Sequence, residues 1–145
     1  MDEKTIILLI RTIYWIGVVL DALFALDMMV IALFAVMTPL SSIYTLPELI
    51  GIGFPYQFAL GIASTMMWGW TALLIWGVQK PLERKGILLL TAFPVITGLM
   101  ISNILAGLNG LISSSSLIIR PGVYLGLLVM FASGYFLADN LLDYD

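Results

Sequence analysis

The sequence predicts an all-α integral membrane protein, a bundle of four transmembrane helices with both termini in the cytoplasm. Three observations lead there. Hydrophobic residues make up 61% of the 145 and charged residues only 10%, whereas a soluble domain carries about 25% charged residues. The mean hydropathy is +1.09, and a soluble chain with that balance could not keep its apolar surface out of water. The apolar residues also fall in long runs, and a helix needs about 20 of them to cross a bilayer.

The first run extends from Ile6 to Met37 and is interrupted by Arg11, Asp21 and Asp27. It predicts a span over about residues 10–35, too long for a perpendicular crossing, so it tilts or protrudes. The internal charges, and the lack of a small-x-small cleavage site after the run, argue against a cleavable leader. The second span is expected at about 58–78, the third at 86–108 and the fourth at 123–142. Short connections leave no room for a soluble domain, so residues 1–145 read as a single four-helix membrane domain. In the first outer connection, Thr45-Leu46-Pro47-Glu48 has the spacing of a capping box. Either a short interfacial helix near 45–52 or an ordinary loop fits that stretch.

Orientation follows from the basic residues. Lys4, Arg11, Lys80, Arg84 and Lys85 fall on one side, and Arg120 alone falls on the other. The positive-inside rule then places both termini inside, at the cell (cytoplasmic) membrane.

Small residues mark where helix backbones can approach, because apolar burial does not drive helix association in lipid. The second span has Gly61, Thr65, Gly69 and Gly77 in one i+4 row, interrupted by Leu73. The third has Pro94, Gly98, Ser102 and Ala106, and the fourth Gly126, Gly134 and Ala138. In the first, Asp21 sits midway between Gly17 and Ala25. Pro94 cannot donate to the Leu90 carbonyl and should kink the third helix.

Composition excludes several chemistries. With no Cys and no His, thiol relays, thiolate metal sites and the commonest general base are absent, and no metal or cofactor is expected. Every Lys lies outside the apolar runs, which argues against a buried Schiff base. No basic patch suggests nucleic acid. The Gly-x-Gly-Asp context of intramembrane aspartyl proteases is missing, and no catalytic residue is assigned.

Asp21 is the most informative side chain. It lies ten residues past Arg11, about 15 Å along the axis and so near the midplane. A carboxylate there costs about 2.5–3.5 kcal/mol to insert, which makes it a functional candidate; holding the bundle together by a hydrogen bond is the structural alternative. Asp27 is turned about 120° from Asp21 and has bulky neighbours in Leu23 and Ile31, which points it away from the small-residue face. Asn103, at a similar depth, is a candidate hydrogen-bond partner for Asp27. Trp68 and Trp70 fall mid-span, where Trp is unusual; Thr97 and Ser133 offer hydroxyls at that level. Arg11 and Asp139 are expected to form a structural ion pair at the inner end.

Three functions fit these residues. The first is a small transport or ligand-binding bundle in which Asp21 responds to a proton or cation. Asp27, Trp68, Trp70, Thr97, Asn103 and Ser133 would contribute to its site, and the ligand would be a small organic cation, a proton or a lipid-like molecule. The second is a non-catalytic accessory or scaffold subunit of a larger membrane complex, or a homo-oligomer. The third is a lipid-modifying enzyme with Asp21 and Asp27 as acid and base, which the missing His and Cys disfavour.

Overall fold

The computed structural model describes residues 2–36, 53–109 and 114–142, so the expectation for 45–52 falls outside the described residues. These residues form α1 (Glu3–Phe34), α2 (Phe54–Gln79), α3 (Gly86–Leu90), a π-helical turn (Thr91–Ile96), α4 (Thr97–Leu108) and α5 (Ser114–Leu142). Among the described residues the chain is all-helical. Four helical stretches are long and apolar enough to cross a membrane: Glu3–Phe34, Phe54–Gln79, Gly86–Leu108 and Ile119–Leu141.

Local chemistry sets the ends. The Asp2 carbonyl accepts from Thr5 and Ile6, and Glu3 places a carboxylate in the first turn of α1, where the helix dipole favours it. The α1 backbone leaves the helix at Ala35, whose φ is 52°, a left-handed conformation more often given to glycine. Gly53, with φ 93°, opens α2 and accepts from Tyr56 and Gln57. Pro55 follows in the first turn, where its missing N–H costs nothing. Pro81 stops α2 by disfavouring helical backbone at Lys80.

Two expectations are refined here. Pro94 sits inside the π-helical turn, and the Thr97 N–H reaches back to the Ala92 carbonyl, five residues away. The helix absorbs the missing proline donor by widening one turn. The expected loop before the fourth span is also shorter, because α5 is helical from Ser114 and carries Pro121 within it.

The chain forms two compact parts, residues 17–73 and residues 1–16 with 74–145. Within 17–73, α1 and α2 are joined where small residues meet. Ser64 donates to the carbonyl of the fully buried Ala25 at 2.7 Å. A Cβ on Gly61 would lie 3.8 Å from that of Ala32, ordinary van der Waals distance. The buried residues of α2 here are Leu60, Ser64 and Thr71, while Thr65 and Gly69 are exposed. The expected i+4 row is therefore not the packed face. Each step of four turns about 40° around a helix, whereas a seven-residue repeat drifts only about 20°, and Ser64 and Thr71 are seven apart.

Within the other part, α5 packs along α3, the π-helical turn and α4. Gly134 and Ala138 are buried on α5 as expected, but Gly126 is exposed. Tyr14, fully buried, donates its hydroxyl to the Arg84 carbonyl at 2.7 Å. A Cβ on Gly134 would meet the Cδ1 atoms of Ile13 at 3.0 Å and Leu88 at 3.3 Å. Both are ends of flexible chains, so Gly134→Ala should cost only about 1 kcal/mol. Thermal unfolding in detergent checks this, and a cost approaching that of full overpacking would show that Ile13 and Leu88 cannot yield.

Candidate functional site

Asp21 is half-buried on α1, one helical turn from Ala25. Thr71 Oγ1 on α2 donates to Asp21 Oδ2 at 2.8 Å and also lies 3.0 Å from the Met67 carbonyl. A hydroxyl has one hydrogen, so an ionised Asp21 and the Met67 carbonyl compete for it. A proton on Oδ2 removes the competition. The carboxyl O–H then donates to Thr71, Thr71 donates to Met67, and a short chain of hydrogen bonds crosses from α1 to α2. Thr71 is the residue that sequence reasoning missed. Its seven-residue spacing from Ser64 was the available signal.

Asp27 is more deeply placed than Asp21, at 5% exposed. The expectation that bulky neighbours turn it outward is corrected: Ile31, one turn on, is itself fully buried, although Leu23 is exposed. Bulk marks a lipid-facing side only when the packed face is built from small residues throughout, and α1 buries Val18 and Ile31 alongside Ala25. Among the described residues, no buried side-chain nitrogen or oxygen lacks a hydrogen-bond partner.

The remaining candidates are placed as follows. Trp68 is 41% exposed on α2, and Trp70 is half-buried. Thr97 donates to the Ala92 carbonyl at 3.1 Å and Ser133 to the Met130 carbonyl at 2.8 Å. Both hydroxyl hydrogens are thus used within their own helices, a common fate of Ser and Thr in apolar helices. Asn103 donates to the Leu99 carbonyl at 3.0 Å and to the Tyr124 hydroxyl at 3.3 Å, and accepts from Arg120 at 3.5 Å. Its amide is spent on α4 and α5, with Tyr124 and Arg120 as partners that the spacing did not suggest.

At the opposite end of α5, Asp139 pairs with Lys85. The expected partner was Arg11, which instead lines a pocket with Lys80, Pro81, Leu82 and Glu83. Lys85 immediately precedes α3, which packs on α5, and that adjacency brings it to Asp139. The neighbouring Arg84 stacks its guanidinium 3.8 Å from the Trp76 ring centre and donates to the Trp76 carbonyl. Arg84 thereby covers the aromatic ring and one carbonyl of the last turn of α2 together.

No protein-family model matches the chain, and no curated protein or solved structure matches it either.

Proposed function

We propose that the chain is a small membrane transport or ligand-binding bundle whose proton- or cation-responsive group is Asp21. Its four apolar helices cross the bilayer with both termini in the cytoplasm, in keeping with the five-to-one division of basic residues. One observation carries this reading: the single Thr71 hydrogen lies within reach of two acceptors, Asp21 and the Met67 carbonyl. Protonation of Asp21 completes the chain of hydrogen bonds between α1 and α2. Loss of that proton sets the carboxylate and the Met67 carbonyl competing for the Thr71 hydrogen. A cation held at the carboxylate releases that hydrogen to Met67 with no carboxyl O–H to complete the chain, so either change alters the tie between the helices. A carboxyl at membrane depth that changes a helix–helix contact as it changes charge is a means of coupling a proton to movement.

The test is Asp21→Asn in proteoliposomes. Asn can donate its amide to Thr71 in either direction of pH, so the variant should fold normally yet lose pH-dependent flux or binding. Candidate small organic cations serve as probes. An unchanged pH profile in the variant would reject Asp21 as the responsive group.

An accessory-subunit reading has its own support. Only 28%, 22%, 22% and 17% of the most apolar windows of the four helices are buried by the chain itself, leaving broad apolar faces for lipid or for neighbouring helices. On that reading Asp21→Asn changes co-purification with a membrane complex and has no effect on flux.

A further inference from the structure

A second polar site is built at the end of the bundle that carries most of the basic residues, and Asp21 has no part in it. An open cavity of about 210 Å³ is lined by Ile7 and Arg11 of α1 and by Lys80, Pro81, Leu82 and Glu83 of the α2–α3 connection. Ile7 and Arg11 are four apart, so they stand on one face of α1 a single turn from each other. Pro81, buried, fixes the backbone from which Lys80, Leu82 and Glu83 project. Lys80 Nζ donates to both Glu83 oxygens, at 2.9 and 2.8 Å, and the pair is exposed. Among the described residues, Arg11 takes part in no ion pair.

The charges do not balance. Arg11 and Lys80 against Glu83 leave one net positive charge around the cavity. An unpaired guanidinium offers a planar fork of donors suited to two oxygens of a phosphate. Ile7 and Leu82 supply apolar surface beside it, as a ligand with both a charged group and hydrocarbon would need. The site also sits where the positive-inside rule places the cytoplasmic leaflet, and basic pockets between helices at that level hold lipid headgroups.

We propose that this pocket binds one phosphodiester, the headgroup of an anionic phospholipid, between Arg11 and Lys80. One phosphodiester carries one negative charge and neutralises the pocket. A zwitterionic lipid brings its own ammonium and leaves the excess charge in place. The reading rests on the helices being membrane-spanning and not on the proposed role of Asp21, so the two readings fail separately.

The test uses the purified full chain in detergent, titrated with phosphatidylglycerol or phosphatidylcholine, with bound lipid counted by native mass spectrometry. Phosphatidylglycerol should be retained in preference to phosphatidylcholine. Arg11→Gln and Lys80→Gln should each weaken its retention about fivefold, the effect of one basic residue near a membrane surface. Glu83→Gln should strengthen it by a similar factor, an increase that a misfolded variant could not produce. A third arm supplies glycerophosphoglycerol, which has the same phosphodiester without acyl chains. Saturation by that soluble ester at the lipid's own concentration would assign the site to a free phosphate ester and overturn the lipid. Equal retention of the two lipids, or charge variants that leave retention unchanged, would overturn the site itself.

Discussion

Gly77→Ala should be strongly destabilising, because the added methyl group has no room. A Cβ at that position would lie 2.3 Å from Cε1 of Tyr14, 2.9 Å from its Cζ and 3.0 Å from its Cδ1. Real carbon atoms do not approach to the first of these distances, so either the ring or the helix must move. The ring has little freedom. Tyr14 is fully buried, and its hydroxyl is fixed to the Arg84 carbonyl in the connection that follows α2. A shift of the ring therefore breaks a hydrogen bond and disturbs the packing on its far side. Overpacking costs about 1–3 kcal/mol, and the pinned ring puts this variant at the upper end. Thermal unfolding followed by circular dichroism in detergent gives the comparison. Gly98→Ala is the matched control, because nothing lies within 4 Å of the Cβ it would add. Tyr14→Leu removes the ring, so it should recover much of the loss when combined with Gly77→Ala. Equal midpoints for Gly77→Ala and Gly98→Ala would mean that the ring yields freely.

The four apolar helices were legible in the sequence because span length depends on one variable, the run of residues that lipid accepts. The predicted third span, 86–108, coincides with Gly86–Leu108, where Pro81 ahead of it and Asn109 behind it leave few choices. Rotation about each axis was less legible. Small residues at i+4 spacing suggested Gly61, Thr65, Gly69 and Gly77 as one contact face, yet that row winds around the helix. Its first and last members meet Ala32 and Tyr14, while the two between them are exposed. Partner choice was least legible of all. Asp139 could reach any cation at its level, and spacing cannot rank Arg11 against Lys85. The decision belongs to the packing of α3 on α5, which is a property of two helices together. Thr71 escaped notice for a related reason. Its seven-residue spacing from Ser64 marks a shared face of α2, but not the carboxyl on α1 that gives the hydroxyl its role.

The same pair supplies the sharpest separation between a responsive carboxyl and a structural tie. Asp21→Asn keeps a donor and an acceptor facing Thr71 and removes only the capacity to change charge. Thr71→Val does the reverse: it keeps the carboxyl, nearly keeps the shape, and removes the hydroxyl that joins it to Met67. Hydrogen bonds between membrane helices are modest, about 0.6 kcal/mol on average and about 1.7 at most. A coupling energy within that range between Asp21→Asn and Thr71→Val, from thermal stabilities of the single and double variants, is expected whichever role Asp21 has. The functional readout separates the roles. If Asp21 is the responsive group, Asp21→Asn loses pH-dependent flux or binding altogether, while Thr71→Val retains the dependence with its midpoint moved, because the titrating carboxyl is still present. If the bond is only a tie, the order reverses. Asp21→Asn, which can still bridge the helices, then keeps the parent chain's pH dependence, and Thr71→Val is the variant that loses the larger part of the tie, a loss of stability within that same range. A bond this weak cannot hold four helices together by itself, so a large functional loss in Asp21→Asn at unchanged stability could come only from the charge.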